Sequence, residues 1–268
     1  MGFWENFDKN KKLLAAHRGA RSRRPENTMS AFKEALKYND YIELDVGFSK
    51  DGVAVVIHDD TLERTSNVKE FPKFTKPYRV IDYTYKQLKK LDFGSWFIKE
   101  DPFGRIKDGT VDLEELKALK TQRIPTLDQV LKLLRKHKFP VNIEIKDASK
   151  TPFDKVAVKT VVDLVEEHSM VNYSMISSFN HKYLRQVFKL NPYIDTAALQ
   201  DKTNGENLVK KLKRLRVRSY NPEFNLADTD LIKNLSNAGI FVNIFTVNDK
   251  DKIEKLWNDG AKSIFTDC

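Results

Sequence analysis

The sequence predicts an α/β fold, a closed (β/α)8 barrel of the TIM type with a small insertion after the second barrel strand. Short apolar runs alternate with amphipathic segments of helical length almost from end to end. Eight such runs are present, and eight parallel strands with helices between them favour a closed barrel. One long segment without this alternation interrupts the pattern early in the chain, which indicates an insertion.

The strands are expected where the runs are short and apolar, at Leu13–His17, Tyr41–Val46, Val141–Lys146, Ser174–Ser178, Asp195–Leu199, Val217–Tyr220, Phe241–Thr246 and Ser263–Thr266. Helices are expected between them, at Ser30–Tyr38, Thr126–His137, Asp154–His168, Asn180–Leu190, Asn204–Leu215, Asp228–Ala238 and Asp249–Asn258. Asp228 is a candidate N-cap, and Gly239 and Gly260 can end helices in the left-handed conformation.

The insertion is expected at about residues 60–123, after the apolar run Val53–Ile57. Short helical patches occur at Tyr85–Leu91 and Asp112–Leu119. The segment also holds many aromatic residues, among them Phe71, Phe74, Tyr78, Tyr83, Phe93, Trp96, Phe97 and Phe103. An unstructured loop of this length is improbable in a compact domain. We therefore expect a single domain over residues 1–268 with a small subdomain inserted on its catalytic face.

Composition narrows the class of protein. The 268 residues are 40% apolar, which suffices for a sizeable core. Lys and Arg number 47 against 38 Asp and Glu, a net charge of +9, and this charge is the only support for a nucleic-acid partner. Weak contact with an anionic surface stays open. The single cysteine, Cys268, excludes an intramolecular disulfide. Without an apolar run near the roughly 20 residues of a membrane span, or a signal peptide pattern, we expect a cytoplasmic protein.

Three acidic side chains are predicted to converge inside the barrel. Glu43 and Asp45 are two residues apart in a strand and therefore point to the same side. The apolar residues between them must pack against the helices, so the two acids face the interior. The same alternation turns Glu144 inward, with Lys146 nearby. Carboxylates confined together repel unless they bind a cation, and hard oxygen ligands suit Mg²⁺ or Ca²⁺ better than zinc.

Two histidines follow apolar strands at the same expected end of the barrel. His17 and Arg18 come where the first strand ends, and His58 follows the run Val53–Ile57. Imidazoles can transfer protons, while a metal and the cations Arg18 and Lys146 can stabilise phosphate. The set predicts a phosphoryl-transfer site. Motifs for nucleotide cradling, zinc proteolysis and serine esterase chemistry are absent from the sequence.

Taken in order, these residues resemble one known family. The resemblance lies in His17-Arg18-Gly19, Pro25-Glu26-Asn27-Thr28, Glu43-x-Asp45, His58-Asp59, Glu144-x-Lys146, Ser177-Ser178-Phe179, Phe245-Thr246-Val247-Asn248 and Ile264-Phe265-Thr266-Asp267. The chain closely resembles the glycerophosphodiester phosphodiesterase family, TIM barrels of the phospholipase-C-like type. The resemblance spans nearly the whole chain and includes an insertion after the second strand.

The resemblance implies a metal-dependent hydrolysis of glycerophosphodiesters to sn-glycerol 3-phosphate and an alcohol. It assigns the divalent cation, Mg²⁺ or Ca²⁺, to Glu43, Asp45 and Glu144, and acid/base catalysis to His17 and His58. Arg18 and Lys146 would bind phosphate. Glu26 would support the site or contact the metal or substrate. Phe245 stands where relatives often have Trp, which would alter the substrate pocket.

Two alternative functions share parts of this site. A lysophospholipase D acting on larger lipids would need an apolar groove for the acyl chain. The aromatic residues of the insertion could line such a groove, or they could instead form a small core of the insertion itself. A non-catalytic phosphate-binding barrel would not need two histidines. The leaving alcohol, the order of acid and base, and the oligomeric state stay open. Phe3, Trp4 and Phe7 are expected to cover the barrel bottom or the place of a last helix.

Overall fold

The computed structural model describes residues 2–119 and 121–268 and contains a closed barrel of eight parallel strands. The strands are β1 Leu13–Ala16, β2 Tyr41–Phe48, β3 Ala54–Val56, β4 Val141–Ile145, β5 Ser174–Ser178, β6 Asp195–Gln200, β7 Ser219–Pro222, β8 Phe241–Ile244 and β9 Ser263–Thr266. Around the barrel the order is β1, β2, β4, β5, β6, β7, β8, β9, and β9 pairs with β1 to close it. The predicted TIM barrel is confirmed.

The ninth strand, β3, lies outside the parallel set. It returns along the end of β2 as an antiparallel partner, with Val46 opposite Val56 and Phe48 opposite Ala54. Gly52 adopts a positive φ of 79° in the connecting turn, a conformation that glycine reaches without strain. The apolar run before His58 is therefore a hairpin arm and not a barrel strand.

Helices surround the barrel and fill the insertion. They are α1 Met29–Ala35, α2 Tyr85–Leu88, α3 Ser95–Glu100, α4 Leu113–Ala118, α5 Leu127–His137, α6 Ala157–Glu167, α7 His181–Leu190, α8 Leu208–Leu215, α9 Thr229–Asn237 and α10 Lys250–Asp259. The predicted caps are confirmed, since the Asp228 carboxylate accepts from the Leu231 N–H and Gly239 and Gly260 have positive φ.

Two predicted helix starts are wrong. The α6 helix begins at Ala157, because the Asp154 carboxylate is engaged by the Tyr183 hydroxyl at 2.7 Å and its segment forms turns. The α8 helix begins at Leu208, because Asn207 is in the left-handed conformation and cannot continue a helix backwards. Strand ends also differ by a residue or two; β7, for example, begins at Ser219 after a left-handed Arg216.

Side chains alternate between the two faces of the barrel wall as predicted. On β2 and β4 the outward residues Ile42, Leu44, Ile143 and Ile145 join a buried cluster with residues of α5 and α6. Inward residues of the same strands carry the polar groups. This alternation is what turns the acids Glu43, Asp45 and Glu144 toward the barrel axis.

Aromatic side chains close the amino-terminal end of the barrel. Phe3 packs edge-on against Trp4 and Tyr41, and Tyr41 against Phe265, with ring centroids 4.9, 5.2 and 6.0 Å apart. The indole N–H of Trp4 donates to Ser219 Oγ at 3.0 Å. This layer lies at the barrel bottom, one of the two places expected for the N-terminal aromatics, and leaves the opposite end for chemistry.

The segment between β3 and α5 has two hydrophobic clusters of its own. One contains Phe74, Tyr83 and Phe93 packed on β3, and the other centres on Phe97, Val111 and Leu116. Several aromatic residues of this insertion are therefore occupied by packing within it. In residues 2–119 and 121–268, no helix is long and apolar enough to cross a membrane.

Candidate active site

A cavity of about 380 Å³ opens at the carboxyl ends of the barrel strands. Its size lies within the range of small-molecule sites. Charged groups lie on one side and an apolar wall on the other. The lining residues are His17, Arg18, Glu43, His58, Asn142, Glu144, Phe179, Leu199, Glu223, Phe245, Thr246 and Phe265. Of the residues that the sequence singled out, Glu26, Asp45 and Lys146 are not among them.

The three predicted acids cluster together, and two of them, Glu43 and Glu144, line the cavity. One carboxylate oxygen from each of Glu43, Asp45 and Glu144 lies within 4.8 Å of the others. The parallel register pairs Asp45 of β2 with Glu144 of β4, so backbone pairing alone brings these two together. All three residues are buried.

Electrostatics distinguish the three carboxyl groups. Burial and the neighbouring charges of Asp45 and Glu144 raise the pKa of Glu43 well above its usual value. The pKa of Glu144 rises for similar reasons. Burial also acts on Asp45, but the charges of Lys146 and Arg18 outweigh it and lower its pKa. The Lys146 Nζ is 2.9 Å from Glu144 Oε1 and 3.6 Å from Asp45 Oδ1.

This arrangement fits a divalent cation. Hard carboxylate oxygens converge here, and the nearby positive side chains do not fully offset their repulsion. The pKa values of Glu43 and Glu144 therefore stay raised. A cation among them would relieve that repulsion, and oxygen ligands suit Mg²⁺ or Ca²⁺. Asn27 supports the set, since its Nδ2 donates to Asp45 Oδ2 at 2.8 Å.

His17 is held by a partner from the far end of the chain. Its Nδ1 lies 2.8 Å from Asp267 Oδ1, just beyond β9. Burial raises the pKa of Asp267, but the hydrogen bond and charge of His17, together with Arg21, bring it down to about 2. Asp267 is therefore ionised and accepts from His17 Nδ1–H. In the neutral ring Nε2 is then the unprotonated nitrogen, which can accept a proton. Desolvation lowers the pKa of His17 and favours its neutral form.

The Asp267 carboxylate is itself fixed. Its second oxygen accepts from Asn248 Nδ2 at 2.9 Å, and its backbone N–H donates to Asn248 Oδ1 at 2.8 Å. Sequence reasoning quoted Asp267 only as part of a motif. Its role as the partner of His17 was missed because 250 residues separate the two.

His58 has a similar partner close by in sequence. Its Nδ1 lies 2.7 Å from Asp59 Oδ1, and Asp59 in turn accepts from Arg64 Nε at 2.7 Å. Both residues lie where β3 passes into the insertion. Despite burial, the hydrogen bonds of His58 and Arg64 lower the pKa of Asp59, so its carboxylate is ionised and accepts from Nδ1–H.

Glu26 is placed among arginines. Its oxygens accept from Arg18 Nη1 at 2.9 Å and from Arg64 Nη1 and Nη2 at 2.9 and 2.7 Å, and Arg21 Nη2 lies 3.1 Å away. Burial raises the pKa of Glu26, but these cations bring it down to about 2. The glutamate therefore orients Arg18, which lines the cavity while its backbone N–H donates to Glu43 Oε2 at 2.7 Å.

The apolar wall contains the predicted residue Phe245. Its ring packs edge-on against Phe179 and Phe265, with centroids 6.1 and 6.5 Å apart. Glu223 lies beside Phe245 through a backbone bridge and also lines the cavity, as does Asn142. Both were missed as site residues. For Asn142 the signal was available, since it precedes Glu144 by two in the same strand and faces the same side.

A family model decides the identity. The model of the glycerophosphoryl diester phosphodiesterase family matches residues 17–268, beginning at His17. The chain belongs to this family.

Relatives of the glycerophosphoryl diester phosphodiesterase family support the assignment. A glycerophosphodiester phosphodiesterase of Caldanaerobacter subterraneus is 34% identical, with 96% of this chain and 94% of the relative covered. One from Bacillus altitudinis is 33% identical over 95% of this chain and 94% of its own length. The fold is similar to that of an Oleispira antarctica phosphodiesterase solved with the product sn-glycerol-3-phosphate. The TM-score is 0.81 at 23% identity, covering 100% of this chain and 96% of that one. The predicted family and enzyme class are confirmed.

Proposed function

We propose that this protein hydrolyses glycerophosphodiesters to sn-glycerol 3-phosphate and an alcohol, with Mg²⁺ or Ca²⁺ held by Glu43, Asp45 and Glu144. One observation carries the proposal. Two histidines face one cavity, each with its Nδ1 on an ionised carboxylate, beside three converging acids. The names of the relatives and the product bound to the Oleispira enzyme agree with this substrate class.

The cation would supply charge stabilisation to the phosphate and would lower the pKa of a hydroxyl beside it. The chain's own residues hold the remaining groups. Arg18 lines the cavity, and Glu26 accepts from its guanidinium. Lys146 lies behind the acids, where its ammonium contacts Glu144 and Asp45. Lys146 therefore acts on phosphate through its charge and through the placing of Glu144.

The two histidines would move the protons in two steps. In the first, the 2-hydroxyl of the substrate's glycerol forms a bond to phosphorus, one imidazole takes its proton, and the bond to the alcohol oxygen breaks. The other imidazole, which enters this step protonated on both nitrogens, gives its Nε2 proton to that alcohol. In the second step water opens the cyclic phosphate and the two histidines exchange roles. The neutral form favoured for His17 makes its Nε2 competent as the first base.

A coupled assay tests the proposal. Release of glycerol 3-phosphate is followed with the phosphodiesters of choline, ethanolamine and glycerol, with Mg²⁺ or Ca²⁺ and again after treatment with EDTA. We expect turnover with a cation and none after chelation. Because the acids repel each other, the same cation should also raise the melting temperature. No release from any of these substrates with any divalent cation would refute the catalytic function.

His17→Ala gives the matching variant. It should lose turnover while its melting temperature stays near that of the parent protein, since the side chain lies at the site end of the barrel. Turnover retained in this variant would mean that the acid/base pair is assigned wrongly. No observation favours the lipid alternative, because many of the insertion's aromatic residues pack within its own clusters.

A further inference from the structure

Arg64 joins the insertion to the barrel through two carboxylates. Its Nε and Nη2 donate to the two oxygens of Asp59 at 2.7 and 3.0 Å. Its Nη1 and Nη2 donate to the two oxygens of Glu26 at 2.9 and 2.7 Å. The guanidinium thus forms a two-pronged contact with each carboxylate, the geometry in which arginine pairs are strongest and most directional.

These contacts continue to both histidines. On one side Asp59 reaches His58 Nδ1. On the other, Glu26 lies against Arg21, whose Nη1 is 3.4 Å from the Asp267 carboxylate that holds His17. In this chain of contacts Arg64 links the pair His58–Asp59, at the junction with the insertion, to Glu26 of the barrel.

Burial indicates that this contact is more than a surface ion pair. The Glu26 side chain is only 3% exposed, and it is ionised at neutral pH because the cations around it hold its pKa at about 2. Arg64 itself is 38% exposed, with its guanidinium 6.0 Å from the Trp96 ring centroid. Ion pairs between exposed groups contribute little, whereas one end of this bridge is desolvated.

We propose that Arg64 is a positioning residue for His58: by fixing Asp59 against the buried Glu26, it sets the orientation of the imidazole that faces the cavity. The inference rests on the proposed function for its kinetic consequence, and on the hydrogen bonds for its structural one. Ionised Asp59 holds the proton of His58 on Nδ1, so that Nε2 is the nitrogen that gains and loses the proton during the reaction, and Arg64 keeps Asp59 in place. Nε2 then faces the reacting atoms.

Kinetics of Arg64→Ala provide the first readout. We expect kcat to fall about 10- to 100-fold, because a displaced proton-transfer group loses its alignment. KM should change less than about threefold, since Arg64 does not line the cavity. Added guanidinium should restore part of kcat. Arg64→Lys should recover little, because a single ammonium cannot form both two-pronged contacts.

Arg79→Ala is the matched control. Arg79 also lies in the insertion and also makes a two-pronged pair, with Asp82 at 2.9 and 3.0 Å, but both of these side chains are exposed, at 57% and 37%, and the pair does not include the partner of a histidine. Its removal should leave kcat and KM unchanged. An equal fall of kcat in both variants would mean that Arg64 only stabilises the insertion and does not position His58. Should Arg64→Ala fail to fold, Arg64→Lys carries the same comparison.

A second readout does not depend on turnover. Ring ¹⁵N shifts report which nitrogen of His58 carries the proton, and the His58→Gln spectrum assigns its signals. Arg64→Ala should shift His58 away from the Nδ1–H tautomer, while His168, paired with Asp128 at 2.9 Å, stays unchanged. An unchanged His58 tautomer overturns the inference. If the parent protein shows no turnover but Arg64→Ala still changes the His58 tautomer, the proposed function is refuted and the positioning role of Arg64 stands.

Discussion

The two histidines of the site use the same arrangement in different surroundings. His17 and Asp267 lie at the ends of neighbouring barrel strands, with side chains 15% and 11% exposed. His58 and Asp59 lie at the junction with the insertion, with side chains 33% and 25% exposed. We call them the barrel arm and the insertion arm. The first is built into the wall of the fold, and the second is held by Arg64, itself at the surface.

This difference separates two ways of orienting a catalytic group. In the barrel arm the parallel pairing of β1 with β9 sets the distance, and Asn248 fixes the carboxylate from behind. In the insertion arm the partners are neighbours in sequence and depend on Arg64, whose pair with Asp59 is partly exposed although its other partner, Glu26, is buried. We therefore expect substitutions in the barrel arm to lower kcat more than substitutions in the insertion arm.

The largest expected effect comes from breaking the barrel arm. Asp267→Asn keeps the shape but removes the ionised acceptor, so His17 is free to take the wrong tautomer. By analogy with other carboxylate–histidine pairs, we expect kcat to fall about 10³-fold or more. Steady-state assays of glycerol 3-phosphate release measure it.

Asp128→Asn serves as its control. It alters another histidine–aspartate pair, with His168, on the outside of the barrel. It should leave kcat unchanged. A loss below tenfold in Asp267→Asn would show that the buried pair does not orient the catalytic imidazole.

Asp59→Asn should break the insertion arm with a smaller loss. We expect kcat to fall about 10- to 100-fold, because water can replace part of the lost contact at this more exposed place. Measuring it beside Asp267→Asn under identical conditions tests the comparison itself. Equal losses would mean that exposure does not distinguish the two arms.

Glu26 belongs to both arms, and its removal should appear in stability. Its pKa falls from 4.5 to about 2 on folding, so its ionised form stabilises the protein above the unfolded pKa, and this contribution is lost as the pH falls toward 2. Glu26→Gln should therefore lower the free energy of unfolding by about 3 kcal/mol at pH 7.

Urea denaturation at several pH values between 7 and 3 measures this difference. The gap between Glu26→Gln and the parent protein should narrow below about pH 4.5. A gap that stays constant with pH would show that the glutamate contributes by packing and not by its charge.

The smallest expected effect is that of salt. Raising NaCl from about 0.05 to 0.5 M should lower kcat by about two- to threefold, because the partly exposed Arg64–Asp59 pair of the insertion arm is screened. The dependence should disappear in Asp59→Asn and persist in Asp267→Asn. The opposite pattern would place the screened contacts in the barrel arm.

Much of the barrel and its acids could be predicted from the sequence. Alternation on a strand is local, so Glu43, Asp45 and Glu144 could be assigned inward from a few neighbouring residues. The position of a histidine after an apolar run likewise indicated His17 and His58. Helix ends with a capping side chain, such as Asp228, were also readable.

Contacts between distant segments could not be predicted from such local patterns. Asp267 meets His17 only because the barrel closes, and Arg64 meets Glu26 across 38 residues through the path of the insertion. No spacing rule encodes either contact. The antiparallel direction of β3 was similarly hidden, since a short apolar run has the same appearance in either direction.

The two separate clusters of the insertion have a consequence for engineering. A segment with its own core, entering at β3 and leaving before α5, is a natural unit to exchange with that of a relative. The arginine at position 64 limits that freedom. A graft that folds well but brings no guanidinium to Glu26 and Asp59 should yield a stable, slow enzyme, so chimeras here should be screened for turnover before solubility.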